Sequence, residues 1–411
     1  MPSYTIAIIG AGISGLACAS FLAEAGHNVH IFERFAHARP VGSGLMIQPT
    51  GLGVLARLGL DERLKDSCAR ITHLQGRTQQ GRPIFDLHYG LLNPNSFALG
   101  VHRGQIFQAL LDKALSLGVH LTTGMTIDTL ERLSDGRFLI PAARDHGIIE
   151  TFDLVIDASG HHSALAATYG QIKYDRSYPY GALWGVCRDP DQSMGQDTLH
   201  QRYRQARMMI GVLPLNTLPN AASPHFAFFW SLRNEDQTQW RARPLDVWKD
   251  EVTTLWPDLA PFLDQFHSHD DLQWARYGHK TLKRRVEGRL AFIGDAAHAM
   301  SPQLGQGANM GLIDAYILST CLNTVADLDQ ALAQYNNQRR AHVMFYLIAS
   351  AWMTPFFQSD TAWLSTLRDL TFAPMCHTPW LRVEMMRTLA GMKTGLFSHL
   401  NPGEFSSRYR V

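Results

Sequence analysis

Residues Leu290–Gly311, reading LAFIGDAAHAMSPQLGQGANMG, join an apolar run to an aspartate and then to a glycine-rich helix start. Ala291, Phe292 and Ile293 predict a short buried strand, Gly294 lets the backbone turn, and Asp295 is left at the strand end, where a carboxylate accepts from ligand hydroxyls. Pro302 stops the loop, Gly305 and Gly307 permit close backbone approach, and Asn309 to Leu318 are predicted to run on as a helix. A helix start carries roughly half a positive charge and about four unpaired N–H donors. Together these residues could hold a hydroxylated chain and stabilise a group that becomes anionic on taking up electrons. The ribityl chain and ring of a flavin have those two properties.

A second constellation stands at the other end of the chain. Tyr4 to Ile9 predict a strand, Gly10 to Gly15 a turn, Leu16 to Ala25 an alanine-rich helix, and Val29 to Phe32 a second strand closed by Glu33. This is a βαβ unit with GxGxxG spacing. Gly10 serves the tight turn, Gly12 the approach of a pyrophosphate, and Gly15 close packing of helix on strand, while Glu33 lies where a carboxylate binds a ribose hydroxyl. The strand before, the helix after and the acid at the right distance turn a weak motif into a prediction of dinucleotide binding.

The elements that must position these two groups fill a chain of 411 residues, long enough for one large or two closely associated domains. Its 37 Lys and Arg against 36 Asp and Glu argue against a nucleic-acid or anionic-membrane partner and favour a small molecule. Five scattered cysteines (Cys18, Cys68, Cys187, Cys321, Cys376) point to neither a disulfide framework nor a metal site, and to a reducing cytoplasm. The apolar N-terminus lacks a basic region and is interrupted by glycines, so no export signal is expected. Met344 to Phe357 is apolar but short of the ~20 residues of a bilayer span and is broken by Pro355, which predicts a packed C-terminal helix rather than a transmembrane segment. Between the two constellations, Gly51 to Leu60 and Arg103 to Leu117 read as helices, Val119 to Leu133 with Arg137 to Ile140 as strand and hairpin, and Asp153 to Asp157 as a buried strand. From Tyr178 to Trp274 aromatic-rich β-like runs (Tyr180 to Cys187, Met208 to Leu213, Phe226 to Leu232) suggest a separate sheet, and from Leu328 onward the pattern is mostly helical. A ligand pocket is expected where that sheet meets the nucleotide-binding blocks.

Three separated blocks in this order resemble the single-component FAD-dependent aromatic hydroxylases, the p-hydroxybenzoate hydroxylase-like flavoprotein monooxygenases. The resemblance spans most of the chain. It implies an α/β fold: a Rossmann-like FAD-binding domain (GR2-type) with an inserted mostly β substrate domain and C-terminal helices. The implied layout is FAD-binding parts over residues 1–75, 101–172 and 286–335, substrate-domain strands over 76–100, a substrate-binding β-sheet domain over 173–285, and a C-terminal helical region over 336–411. For FAD it implies Gly10, Ala11, Gly12, Ile13, Ser14 and Gly15 at the pyrophosphate, Glu33 at the adenosine ribose with Arg34 beside it among the cofactor-binding residues, and Arg103 of VHRGQIFQALL at the phosphates. Arg39 near the cofactor, Ile127 at the adenine and Gly160 among the cofactor-binding residues follow from the same resemblance, as do Gly294, Asp295, Pro302, Gly305, Gly307, Ala308 and Asn309 around ribityl and ring. His298 matches a position that packs behind the motif.

The activity so implied inserts one oxygen atom from O2 into an aromatic or other electron-rich small molecule through a flavin hydroperoxide, with the cofactor carrying the hard step. The alternatives are a flavin-dependent reductase or halogenase of the same superfamily, or a FAD-binding electron-transfer partner. One block departs from the family. Where it has Asp-Gly, then Ser, then Arg, this chain reads DASGHHSALA, with Ser159 for the aspartate and Ala166 for the arginine. That departure argues against NAD(P)H as a direct donor and for reduced flavin supplied by a separate flavin reductase. The DASG-like stretch also resembles halogenases and polyene reductases, although the halogenase tryptophan signature is absent. No catalytic base is assigned. Pocket candidates are Gln48, Tyr203, Phe228, Trp230, Gln303 and Leu304, with Trp184 and Trp230 also fitting a role as core filling.

Overall fold

The computed structural model describes residues 2–38, 44–144, 147 and 150–409. Two sheets organise it. In the first, a six-stranded sheet, the strands Leu290–Phe292, Leu154–Asp157, Thr5–Ile9, Asn28–Phe32 and His120–Thr122 run parallel in that spatial order, and Val286–Glu287 adds an antiparallel edge. Leu154–Asp157 and the end of Thr5–Ile9 are buried on both faces, as central parallel strands must be. The helices Ile13–Glu24 and Gly307–Thr324 pack against each other over this sheet. The carboxyl ends of Thr5–Ile9 and Leu290–Phe292 therefore open onto the same side, one strand apart, which is where ligands sit in open parallel sheets.

The second sheet has seven strands, ordered Gln273–Leu282, Ile172–Arg188, Pro224–Arg233, Met208–Thr217, Thr198–Arg204, His73–Thr78 and Pro83–His88. Every neighbouring pair is antiparallel except Thr198–Arg204 with His73–Thr78. One face is covered by the helices Gln237–Ala242, Leu245–Leu255 and Ala260–Leu263, whose Trp240, Trp248 and Phe262 bury Leu183, Ile210, Val212, Phe226, Phe228 and Trp230. The other face carries Tyr203, Leu213 and Phe229 and is packed in part by Phe357, Phe372, Cys376 and Met386 from the end of the chain. A smaller sheet of Gly44–Ile47, Ala98–His102 and Ala69–Ile71 joins the two halves. Three helices, Leu328–Phe357, Ala362–His377 and Pro379–Leu389, close over that other face of the seven-stranded sheet.

Several boundaries differ from the sequence expectation. The strand His73–Thr78 already belongs to the seven-stranded sheet, so a break at 75/76 would cut it. After His120–Thr122 the chain runs without regular structure until Glu131–Arg132, because its apolar residues Met125, Ile127 and Leu130 anchor it singly in the core beneath Phe32 and Phe138. Residues 237–263 hold three helices inside the block read as β; in the longest of them the buried Trp248, Val252 and Leu255 follow a helical rather than an alternating period. The helix expected from Asn309 starts at Gly307, and Pro355 sits inside the last turn of Leu328–Phe357, where its missing N–H leaves the Ala351 carbonyl without a helical donor and the helix ends two residues later. Among the described residues no helix is long and apolar enough to cross a membrane.

Candidate active site

The first cradle is the turn between Thr5–Ile9 and Ile13–Glu24. Gly10 has φ +103°, and a Cβ there would stand 2.8 Å from the Ala158 carbonyl oxygen. At Gly15 a Cβ would overlap the carbonyl oxygen of Gly10, whereas at Gly12 it would meet no protein atom within 4 Å. Packing therefore demands two of these glycines, and the third faces open space at the cleft. Helix Ile13–Glu24 has no side-chain cap on Gly12, so its first N–H groups stay available to a ligand beside Gly12, Ile13 and Ser14. Glu33 is buried, and its two carboxylate oxygens accept from the N–H groups of Ala11 at 2.8 Å and Phe35 at 3.0 Å. It locks the turn to the end of the second strand, and each oxygen keeps a further lone pair for a hydroxyl.

Arg34 lies over the Phe35 ring at 4.8 Å. Ile127 is buried near Phe32. Arg103 opens the helix Arg103–Ser116, exposed and facing the cleft, and Gly160, with φ +91°, lines the same wall. Arg39 lies outside the described residues.

The second cradle touches the first through one side chain. The Ser14 Oγ lies 2.6 Å from where a Cβ on Gly294 would be, and would overlap one on Gly311. Only glycine at both positions lets the two turns close on each other. Asp295 is exposed to the cleft, followed by Pro302 to Ala308 along its floor. Helix Gly307–Thr324 begins without a side-chain cap, so its leading N–H groups also face the cleft. Asn309 acts differently. Its Oδ1 accepts from the Gln48 N–H at 2.9 Å, and its Nδ2 donates to the carbonyls of Met46 at 3.2 Å and Gly305 at 3.0 Å. Fully buried, it clamps the strand Gly44–Ile47 to the floor rather than facing the cleft.

Behind this cradle lies a network of buried charge. Asp314 accepts from His298 Nε2 at 2.5 Å, Arg339 Nε at 2.6 Å and the Gly294 N–H at 2.9 Å. Burial opposes ionisation of Asp314, but His298 and Arg339 outweigh it and hold the carboxyl well below the usual range. Arg339 Nη1 donates to His342 Nδ1 at 2.7 Å, and His342 Nε2 donates to the Gly391 carbonyl at 2.9 Å, the pattern of a neutral imidazole. Burial and then the Arg339 charge push His342 down to about 3. His298 is thus a scaffold residue, as its sequence position suggested.

At the departing block, Ser159 is exposed but ties its side chain to the buried Asp157. Its Oγ donates to Asp157 Oδ1 at 2.6 Å, and Ser163 donates to the other oxygen of Asp157. Burial raises the Asp157 carboxyl against the pull of these hydroxyls. Ala166 is buried, so neither an anion nor a cation stands where the family places them.

Both cradles open into one cleft of about 1130 Å³, larger than the roughly 300–1,000 Å³ of a site for one small ligand. Its far wall is the face of the seven-stranded sheet opposite Trp240 and Trp248 and the inner sides of the C-terminal helices. Gln303, Leu304 and Tyr203 line it as expected. Phe228 and Trp230 do not: strand alternation turns them to the opposite face, against Trp248, and Phe229 faces the cleft instead. Gln48 is buried behind Met46, accepting from the Tyr89 hydroxyl at 2.5 Å. Trp184, read as core, lines the cleft and donates from Nε1 to the Tyr277 hydroxyl at 2.9 Å. That leaves the Tyr277 O–H as a donor in the cleft, and burial pushes its phenol up to about 12. Tyr277, Phe229, Phe357 and Gln358 were not singled out from sequence; choosing the other parity in Pro224–Arg233 would have found Phe229, while the helix-end residues carry no local signal.

Comparison with known proteins gives one answer. The family described as FAD binding domain matches residues 3–348. The FAD-dependent urate hydroxylase of Klebsiella pneumoniae is 24% identical over 381 residues, spanning 89% of this chain and 94% of its own. A probable 2-heptyl-3-hydroxy-4(1H)-quinolone synthase of Rhodococcus erythropolis is 26% identical over 339 residues, 81% of this chain and 83% of its own. Among solved structures, a Klebsiella pneumoniae protein complexed with FAD and uric acid has a TM-score of 0.78 at 20% identity, covering 95% of this chain and 98% of its own. A Pseudomonas aeruginosa protein in complex with 2-aminobenzoylacetate has a TM-score of 0.76 at 17% identity, covering 89% and 100%. These two likenesses are of fold.

Proposed function

This chain belongs to the FAD binding domain family, and from that premise we propose a FAD-dependent monooxygenase that places one oxygen atom from O2 on an aromatic or similarly electron-rich small molecule. The observation that carries this is a single cleft shared by two glycine cradles and an apolar wall, with Ser14 joining the cradles. The residues fit the cofactor. Gly12 leaves open space where a pyrophosphate needs it, and two uncapped helix starts, at Gly12 and Gly307, offer N–H donors to phosphate and to ring. Gly10 to Gly15, Glu33 and Arg103 would hold the nucleotide end; Gly160 and Gly294 to Asn309 would hold ribityl and isoalloxazine, with Asn309 fixing the floor. FAD, once reduced, supplies the activation of oxygen.

The chain supplies order, dryness and charge. The start of Gly307–Thr324 stabilises negative charge on the bound ring. Apolar side chains of sheet and helices exclude water from the reacting face. Tyr277 donates to the substrate and, with its phenol held near 12, does not act as a base at neutral pH. Tyr203, buried against Phe357 with its phenol raised still further, is packing rather than proton chemistry. The substrate must therefore bring its own electron-richness.

The bond that ties the Ser159 hydroxyl to Asp157 and the burial of Ala166 support an external supply of reduced flavin over direct NAD(P)H use. The test is FAD reconstitution followed by turnover under labelled O2. Label in the product, with NADPH bleaching the flavin at least about tenfold more slowly than a flavin reductase feeds turnover, is expected. Failure to take up FAD, or product formed without oxygen, defeats the proposal; halide-dependent product would favour a halogenase.

A further inference from the structure

We infer that the substrate is an uncharged, largely apolar aromatic compound extending beyond a single ring, with a carbonyl or similar oxygen that accepts a hydrogen bond from the Gln358 side chain. This rests on the monooxygenase proposal and narrows it. Charge distribution is the first support. Among the described residues, the Asp, Glu, Lys and Arg side chains lining the cleft are Arg103, Asp295 and Arg276. The first two stand at the cofactor end, and Arg276, on an exposed position, donates to Gln237 at 3.2 Å. Apart from Arg276, exposed on the edge strand Gln273–Leu282, the half built from the sheet face, Pro302–Leu304 and the C-terminal helices carries none. Arg368 lies behind this wall, over the rings of Tyr203 at 4.9 Å and Phe357 at 5.4 Å, with its charge spent on Asp369 at 2.7 Å. A carboxylate carried into this half would lose its hydration with no counter-charge, a penalty of several kcal/mol.

Extent is the second support. Phe85, Trp184, Tyr203, Phe229, Phe357 and Phe372 present aromatic surface along the cleft, and Met353, Met375 and Met385 add flexible thioethers that mould to an apolar tail. One hydroxylated ring would leave most of that surface wet.

The third support is an unpaired donor. Gln358 follows the long helix and is 3% exposed, yet lines the cleft. Its Oε1 accepts from Gln303 Nε2 at 2.7 Å, which sets the amide and leaves its Nε2 without an acceptor among the described residues. A buried N–H left unpaired costs roughly 1–3 kcal/mol, which an oxygen on the bound substrate relieves. Gln303 lies in the turn that leads into the glycine floor, so this donor is coupled to the reacting end of the cleft.

The experiment measures dissociation constants on the FAD-loaded protein by perturbation of flavin absorbance, with three probes: 1-(4-hydroxyphenyl)octan-1-one, 4-octylphenol and 4-hydroxybenzoate. The expected order is ketone, then octylphenol, then benzoate, each step about tenfold. Gln358→Leu should weaken the ketone about tenfold and leave 4-octylphenol unchanged, with retained FAD absorbance reporting an intact fold. Tightest binding by 4-hydroxybenzoate, no binding by any probe, or equal loss of both alkyl ligands in the variant overturns the inference. The order in the unsubstituted protein stands even if the variant fails to fold. A protein that takes up no FAD breaks the underlying proposal instead.

Discussion

The cofactor half and the substrate half of the cleft are specified by different kinds of residue. In the cofactor half the backbone does the recognising: Gly15 and Gly311 are fixed because a methyl group would strike Gly10 or Ser14, and Gly12 because space is needed beside it. In the substrate half the side chains recognise by shape. Phe229 could be Leu or Met without offending any backbone atom, and what decides its role is which way its strand faces. Backbone recognition leaves a mark in the sequence, whereas shape recognition leaves apolar residues that look like any core.

The largest effect that sharpens this contrast lies behind the cofactor half. Replacing Asp314 by Ala would leave the buried Arg339 cation and His298 without their acceptor and free the Gly294 N–H. A loss of about 3–5 kcal/mol in denaturant unfolding is expected, with FAD released as the turn at Gly294 loosens. A loss below about 1 kcal/mol would mean that the cradle does not depend on this network.

Next comes a pair on one strand. Phe228→Ala opens a hole in the tryptophan-rich core and should cost about 3–5 kcal/mol while substrate affinity stays unchanged. Phe229→Ala, facing an existing cleft, should cost about 2 kcal/mol and carry the main loss of substrate binding. Reversal of the two phenotypes would show that the faces have been exchanged.

A smaller effect separates the glycines. Gly15→Ala forces a methyl group into the Gly10 carbonyl and should cost about 1–3 kcal/mol or more together with FAD binding. Gly12→Ala, at φ −76°, should change stability by no more than about 0.5 kcal/mol yet weaken FAD about tenfold. Equal stability loss in both would end the distinction between packing glycines and ligand-facing ones.

The same distinction governs what could be read from sequence. The βαβ unit, the floor at Gly294–Asn309 and the C-terminal helices were legible because glycine spacing and helical periodicity are local. The placement of Phe228 and Trp230 was not, since alternation fixes two faces but never says which is inward, and here both are buried. Helices 237–263 were hidden because their tryptophans imitate strand composition. Asn309 was legible as a site residue but not as a clamp, because its partners Gln48 and Met46 lie some 260 positions away in sequence. Gln358 had no signal at all: an amide after a helix end acquires meaning only when Gln303 is brought to it.

The finest test uses acidity. His342 is held at about 3 in the folded chain, against 6.5 when free. Between those values the unfolded chain takes up a proton that the folded chain refuses, so stability falls as pH is lowered through that window and is insensitive to this group above it. One such proton gives a slope of about 1.4 kcal/mol per pH unit. His30, lowered to about 4 by burial, adds a second proton of the same sign, and Asp314, held below its usual range, adds its own loss at the acid end. Gln in place of His342 can still accept from Arg339 and donate to Gly391, so His342→Gln should cost little at pH 7. Its unfolding free energy between pH 6 and 4, measured at fixed excess FAD, should fall less steeply by about one proton's slope. An unchanged slope would mean that His342 is already charged in the folded protein, and with it that the network behind the cofactor floor carries one more positive charge than its hydrogen bonds imply.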